Sequence, residues 1–423
     1  MASSPAAADQ IRDSQWSLKT FEAETKVWPV SQGDGVVVAV VDGGVNQDHQ
    51  DLVGQVLPGA DFSGGTSDGR FDADGHGTAM AGLIAGTGHG SQAGIKGLAP
   101  KAKILPVKLT SKDGQWGDQG PDFARAIKFA ADHGAKVINI SLGGYFRISQ
   151  EARDAIKYAV SKDIVIVASA GNSGNKSLPV EYPAAFPGVM AVAAVDQQGR
   201  AWEKSTFGPE ITIAGPGVDI YQATAKSMSS YGVGNGTSDA TAYVSATAAL
   251  IRSKYPSLSA GQVINRMIKS ATPPPDGSSV PNAHYGYGTV SPAKALEPNP
   301  AVDGGPKENP LLGRAESQGA PDDGAEDPSG VPPAVPAAAA EGNQGITYTL
   351  IGAGVLFGLV LVAVCVLVVV RGRRQRRSAV AVPGAAGYPY PVPPPAGPPG
   401  QQGYGHAPPP QQPPVPPTGN PYQ

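Results

Sequence analysis

The sequence predicts a doubly wound α/β domain on a mainly parallel sheet, followed by segments that build no core. Three observations carry that expectation. Short, near-continuous apolar runs alternate with amphipathic stretches over residues 35–296, as a sheet covered on both faces requires. The proline load then rises abruptly: 25 of the 42 prolines fall in the last 127 residues, which places the non-globular part at the C-terminal end. A single cysteine, Cys365, excludes both an intramolecular disulfide framework and a cysteine-based metal site. The formal net charge of −3 also speaks against a nucleic-acid partner, which a basic face or tail would advertise.

Residues 1–8 have neither a basic start nor an apolar stretch. They read as the small-residue remnant of a signal peptide whose start codon lies upstream. Residues 9–34 form an N-terminal extension, with Trp16 and Trp28 as buried anchors on the domain. Val36 to Val41, Val137 to Ile140, Ile164 to Ala168 and Val189 to Val195 are the strand runs. Between them, Asp122 to His133 places Phe123, Ala126, Ile127 and Ala130 on one helical face, and Gly134 stands where a C-cap belongs. Ser259 with Gln262 forms a capping-box pattern for a closing helix.

Residues 297–345 turn to Pro, Ala, Gly and acidic residues, a linker unable to bury enough apolar surface to order itself. Residues 346–370 run for 25 positions without a charge, long enough to span a bilayer as a helix. Arg371, Arg373, Arg374, Arg376 and Arg377 follow at once. They place the Pro/Gly/Gln-rich tail, residues 371–423, in the cytoplasm and the folded domain outside a cell membrane crossed once.

Four motifs carry chemistry. Asp42 ends the first strand run in Val40-Val41-Asp42-Gly43-Gly44. His76 lies between glycines in Asp74-Gly75-His76-Gly77-Thr78. Ser238 enters a helix in Asn235-Gly236-Thr237-Ser238-Asp239, and Asn172 follows a strand in Ala170-Gly171-Asn172. A serine hydroxyl needs a base within hydrogen-bond reach, and a histidine titrates near the working pH. A carboxylate fixes the imidazole tautomer. An amide and a backbone N–H at a helix start can receive an oxyanion.

In this order and these contexts the motifs resemble those of the subtilisin-like serine endopeptidases, the subtilases, over residues 35–296. Subtilisin is itself the standard example of this triad order and of the oxyanion asparagine, so those roles come with the resemblance. It implies Asp42, His76 and Ser238 as the catalytic residues and Asn172 in the oxyanion hole. It also makes Ser141, Leu142 and Gly143 the strand edge that pairs with an extended protein or peptide substrate. Ile11-Arg12-Asp13-Ser14-Gln15-Trp16, the Gly77-Thr78-Ala79 form and the Pro-rich stretch before one span are similar to the mycosins, membrane-anchored subtilases of actinobacterial type VII secretion. Limited processing, with the secretion core complex as partner, is what that likeness implies. The rival readings are a structural subunit of that complex and a general degradative ectoprotease.

The chain departs from the family pattern in three places. Gly43 stands where Ser or Thr is usual, Asp239 where Met is usual, and Ala242 where Pro is usual. Asp239 suits the first turn of a helix, although a carboxylate facing the cleft would oppose an oxyanion. No cofactor is expected, and a structural calcium is left unassigned. Asp48 and Asp51 lie where subtilases often bind calcium nearby, but six or more oxygen ligands cannot be assembled from the sequence. His49, His89, His133 and His284 read as surface histidines.

Overall fold

Each of the four apolar runs becomes a strand of a single sheet. The structure, a computed structural model, describes residues 7–90, 93–109, 120–144, 149–174 and 178–314. It begins with helices α1 (Ala7–Asp13) and α2 (Trp16–Thr20) and a π-turn at Ala23–Val27, followed by strands β1 (Val37–Asp42) and β2 (Ala60–Asp61). Next come α3 (His76–Ala85), β3 (Thr87–His89), β4 (Ala93–Lys96), β5 (Lys103–Lys108), α4 (Gly120–Asp132), β6 (Val137–Ile140) and α5 (Gln150–Ser161). The chain continues through β7 (Val165–Ser169), β8 (Met190–Val195), β9 (Ile211–Pro216), β10 (Ile220–Ala223) and β11 (Tyr231–Gly234). It closes with α6 (Thr237–Lys254), α7 (Ala260–Ser270), α8 (Pro292–Leu296) and α9 (Pro300–Asp303).

Seven strands form the main sheet in the order β2-β5-β1-β6-β7-β8-β9, and every neighbouring pair is parallel. Strand order reverses around β1, which opens a crevice at the carboxyl edge beside Asp42. Alternation along β1 separates the two cores. Val38 and Val40 face α3, α6 and α7, whereas Ala39 and Val41 face α4 and α5. The sheet is therefore doubly wound, as expected. Three of its strands, β2, β5 and β9, escaped the sequence patterns. Pro106 interrupts β5, and it is tolerated because its missing N–H points away from β1, towards the short edge strand β2. β9 ends in Gly215-Pro216, a turn-like signature.

The expected capping box is present: Ser259 accepts from the Gln262 amide, and the Gln262 side chain accepts from the Ser259 N–H. Gly134 takes the left-handed conformation, φ +84°, that a C-cap demands. The N-terminal extension contacts the domain, although Trp16, expected to be buried, is only partly so. Trp28 is buried and donates to the Leu98 carbonyl, and Trp16 donates to that of Val218. Arg12 clasps the carbonyls of Ala93 and Gly94, and Gln15 pairs both ways with the Lys96 backbone.

The domain boundary expected at residue 296 is too early. Arg266, 2% exposed, is held by Asp303 at 2.7 and 2.6 Å and by the carbonyls of Ala295 and Glu297. Arg314 reaches the carbonyls of Glu210, Ala184, Phe186 and Val189. Composition concealed this because Arg266, Arg314 and one buried leucine, Leu311, fasten the segment without a run of apolar residues. The remainder of the expected linker, the span at 346–370 and the tail lie outside the described residues, as do residues 1–6. Among the described residues no helix is long and apolar enough to cross a membrane.

Asp303→Ala leaves the Arg266 charge buried without its carboxylate. It is expected to cost about 2–3 kcal/mol, less than a fully buried pair because Asp303 remains 28% exposed. Urea denaturation tests this. The midpoint falls at unchanged slope, and an unchanged midpoint would detach residues 297–314 from the domain's stability.

Candidate active site

β1, β6 and β7 lie side by side in the sheet, and their carboxyl ends deliver Asp42, Ser141 and Asn172 to one edge. Two helices begin at that edge and pack against each other. His76 is the first residue of α3 and Ser238 the second of α6. All of the residues expected to carry chemistry are thus gathered by strand ends and helix starts.

Asp42 is 1% exposed, and both its oxygens lie 2.9 Å from His76 Nδ1. Its Oδ1 also accepts from the Gly43 N–H at 2.8 Å, so a backbone donor attends the carboxylate where a Ser or Thr hydroxyl is usual. The space beside Gly43 is bounded by the Asp74 carboxylate. Gly77 is obligatory: a Cβ there would stand 2.0 Å from the Gly44 carbonyl oxygen. Without that close approach, α3 could not bring His76 onto the end of β1.

The start of α3 is tied by carboxylates absent from the expected site. Asp72 accepts from the N–H groups of Gly75 and Thr78 and from the Thr78 hydroxyl, and Asp74 accepts from the His76 N–H. These satisfy amides that a helix start leaves unpaired. The run Asp72-Ala73-Asp74-Gly75 before the histidine was the available signal, since such residues favour caps and turns.

Burial opposes a charge on His76, but the Asp42 carboxylate outweighs it through its charge and hydrogen bond, and Asp239 and Asp74 add to it. The imidazole pKa is raised to about 9. The ring nevertheless keeps 41% of its surface open to the cleft.

Ser238 is buried, and its hydroxyl donates to the Ser141 carbonyl at 3.1 Å. In return the Ser141 hydroxyl donates to the Ser238 carbonyl. Behind them Asn139 donates to Ser141 Oγ and accepts from the Ser245 hydroxyl, a fully buried polar chain that fixes α6 against β6. Leu142 is buried, and Gly144, just past Gly143, pairs with Tyr182.

Asn172 Oδ1 accepts from the Thr237 N–H and hydroxyl, which leaves Nδ2 for the cleft. The point where a Cβ would stand on Gly236 is 3.5 Å from the Ser238 N, 3.7 Å from Asn172 Nδ2 and 3.5 Å from Asp239 Oδ2. Two donors and one carboxylate therefore share a locus. Asp239 does sit in the first turn of α6, yet its Oδ1 is buried without a partner. Burial raises the pKa of this carboxyl to about 7, with the charge of His76 opposing the rise.

The histidines flanking this region are not all superficial. His49 is fully buried, bonded to the Ser230 carbonyl and the Asp51 N–H. His89 contacts Asp51 Oδ1 at 2.6 Å, and Asp51 Oδ2 accepts from the Ile95 N–H. Among the described residues, no group of three or more His, Cys, Asp and Glu is arranged to hold a metal ion.

A carboxylate–imidazole pair at a strand end, beside a serine and two N–H donors at a helix start, is the equipment of a serine endopeptidase. Sequence comparison gives the family: the subtilase profile matches residues 33–288, and the chain belongs to the subtilase family. Thermitase of Thermoactinomyces vulgaris is 40% identical over 231 residues, covering 54% of this chain and 79% of that protein. Subtilisin DY of Bacillus licheniformis is 36% identical over 262 residues, covering 62% and 90%. Among solved structures, MycP1 from Mycobacterium smegmatis matches with TM-score 0.59 and 29% identity, covering 70% of this chain and 87% of that one. MycP3, a protease from the type VII (ESX-3) secretion system, matches with TM-score 0.59 and 32% identity, covering 67% and 88%. The protein is a serine endopeptidase acting on protein substrates.

Because the Asp239 anion helps hold the proton on His76, Asp239→Asn lowers the imidazole pKa. NMR titration of the His76 ring is expected to shift its midpoint from about 9 towards lower pH. A midpoint that stays put would remove Asp239 from the electrostatics of the cleft.

Proposed function

We propose that the chain is a membrane-anchored endopeptidase in which Ser238 is the nucleophile, His76 the base and then the acid, and Asp42 its orienting carboxylate. The observation that carries this reading is the contact of both Asp42 oxygens with His76 Nδ1 at the sheet edge where α6 presents Ser238. That contact fixes the tautomer with Nε2 free to take the serine proton, and it stabilises the imidazolium that results. Asn172 Nδ2 and the Ser238 N–H, held around one locus, receive the oxyanion as Ser238 Oγ bonds to the scissile carbonyl. His76 then returns its proton to the leaving amine, and water completes hydrolysis of the acyl-enzyme.

Two features make the free enzyme a quiet one. The raised imidazole pKa reduces the share of free base at neutral pH. The Ser238 hydroxyl also has to leave the Ser141 carbonyl before it can meet His76. The Ser141–Gly143 edge is the place where an extended peptide pairs, and arrival of its N–H groups at that carbonyl releases the hydroxyl. Slow, selective cleavage suits limited processing better than general degradation.

The biological setting rests on the likeness to MycP1 and MycP3, the latter described as belonging to a type VII secretion system. In that setting the uncharged run at 346–370 anchors the enzyme, the domain faces outwards and the arginine-led tail lies in the cytoplasm. The secretion core complex and its exported proteins are the partners.

A fluorophosphonate serine probe applied to intact cells tests reactivity and topology together. Wild type is labelled and Ser238→Ala is not, and label that appears only after lysis would reverse the topology. Asn172→Ala is expected to lower kcat by about a hundred- to a thousandfold, the loss recorded for the corresponding asparagine in subtilisin itself. If secretion and substrate processing both persist in Ser238→Ala cells, the enzymatic role gives way to a structural one.

A further inference from the structure

Asp239 stands beside the nucleophile, yet no step of the hydrolysis uses it. Its side chain is 3% exposed and belongs to the first turn of α6, at the catalytic edge. A carboxylate in such a turn ordinarily takes up free amides, and here the amides are engaged elsewhere. The Thr237 N–H goes to Asn172 Oδ1, and the Ser238 N lies beside the locus at Gly236. Asp239 Oδ1 is left buried without a partner. Its Oδ2 stands 3.5 Å from the point that also lies 3.5 Å from the Ser238 N and 3.7 Å from Asn172 Nδ2. The charged group that faces it is His76 of α3, an imidazole on which Asp42 and Asp74 also act. Tyr243, one turn further along α6, keeps its hydroxyl on Ser17. The remaining elements meet α6 through the uncharged Val40, Asn139, Val167, Val192, Ile213 and Leu296. The guanidinium groups of Arg252 and Arg266 are tied to Asp163 and Asp303.

We propose that Asp239 in its neutral form is a third hydrogen-bond donor to the oxyanion, so that protonation of this one carboxyl turns the oxyanion hole on and off. The inference rests on the peptidase reading above and adds a further group to its site. A neutral carboxyl presents an O–H to the locus that the two N–H donors share, whereas an ionised one presents a charge of the sign that develops there. The hydrogen bond is donated and the proton stays on Asp239, so this residue makes and breaks no covalent bond. Burial favours the neutral form, as in other sites where an apolar setting keeps an acid protonated so that it can donate. Here burial raises the carboxyl pKa to about 7. Both forms are therefore populated near neutrality, and the catalytic edge holds a donor or an opposing charge according to pH.

The test is the pH dependence of kcat/KM on a fluorogenic peptide for wild type, Asp239→Asn, Asp239→Leu and Asp239→Ala. The acyl-enzyme burst on an ester substrate counts the folded sites in each. Reactive wild type needs the imidazole free and the carboxyl neutral. Between about pH 7 and about pH 9 a rise in pH gains the first and loses the second, and above about 9 only the loss remains. Wild type is expected to be level over that interval and to fall by about tenfold per pH unit beyond it. Asp239→Asn, whose amide donates at every pH, is expected to lose the alkaline fall and to exceed wild type at pH 8 by about tenfold or more. Asp239→Leu and Asp239→Ala lose the fall as well, but their plateaus are expected to lie about a hundredfold below that of Asp239→Asn, in kcat rather than KM, as for loss of one oxyanion donor. All three variants remove the same charge. Plateaus for Asp239→Leu and Asp239→Ala equal to or above that of Asp239→Asn therefore overturn the proposal and leave Asp239 an opposing charge only. A wild-type rate that keeps rising above pH 9 overturns it too. Failure of the peptidase reading looks different: no burst appears and the fluorophosphonate probe leaves Ser238 unlabelled.

Discussion

The grip of the Asp42 carboxylate on His76 Nδ1 is the contact on which the rest of the site depends. It joins the last residue of β1 to the first residue of a helix, so it exists only if β1 and α3 meet within a few ångströms. Gly77 permits that approach, and Gly75, at φ +93°, turns the chain into the helix. Asp72 and Asp74 take up the amides the turn exposes. The same contact sets the proton balance, because it raises the imidazole pKa against the effect of burial. Geometry and basicity are therefore one constraint, imposed by a single buried carboxylate.

α6 supplies the other half of the site at a different cost. It is buried from Thr237 to Arg252, which selects small residues around most of its circumference and leaves its polar groups to find partners inside. Thr241 and Thr247 turn back onto the helix's own carbonyls, while Ser245 enters the chain through Asn139 and Ser141 to Ser238. Asp239 and Arg252 Nε are exceptions, and Asp239 has one oxygen lacking a partner and a carboxyl that titrates near neutrality. An unmet polar group of this kind is tolerated most readily where function holds it in place. Here it lies within electrostatic reach of His76.

Much of this was legible in one sequence. Asp42, His76, Asn172 and Ser238 each sit in a short motif where a glycine or a strand end dictates the backbone, so local chemistry and global position agree. The strands at β1, β6, β7 and β8 were legible because a strand covered on both faces is apolar at almost every position. β5 was not, since Pro106 is compatible with a sheet only where its missing N–H faces a side that is not paired at that position, here just before β2 begins. The segment to Arg314 was not either, because two guanidinium groups held among carbonyls leave no compositional trace.

The sequence by itself determined which chemical groups are present and which of them stand at the ends of strands and the starts of helices. It could do so because hydrophobic period, capping residues and glycine placement are local properties. Only the tertiary structure decided what those groups touch: Ser238 bonded to the Ser141 carbonyl, and Asp239 brought to the locus of the two donors. Ser141 and Ser238, for example, lie 97 residues apart in the sequence. Their proximity follows from the order in which parallel strands assemble, and no local pattern encodes that order.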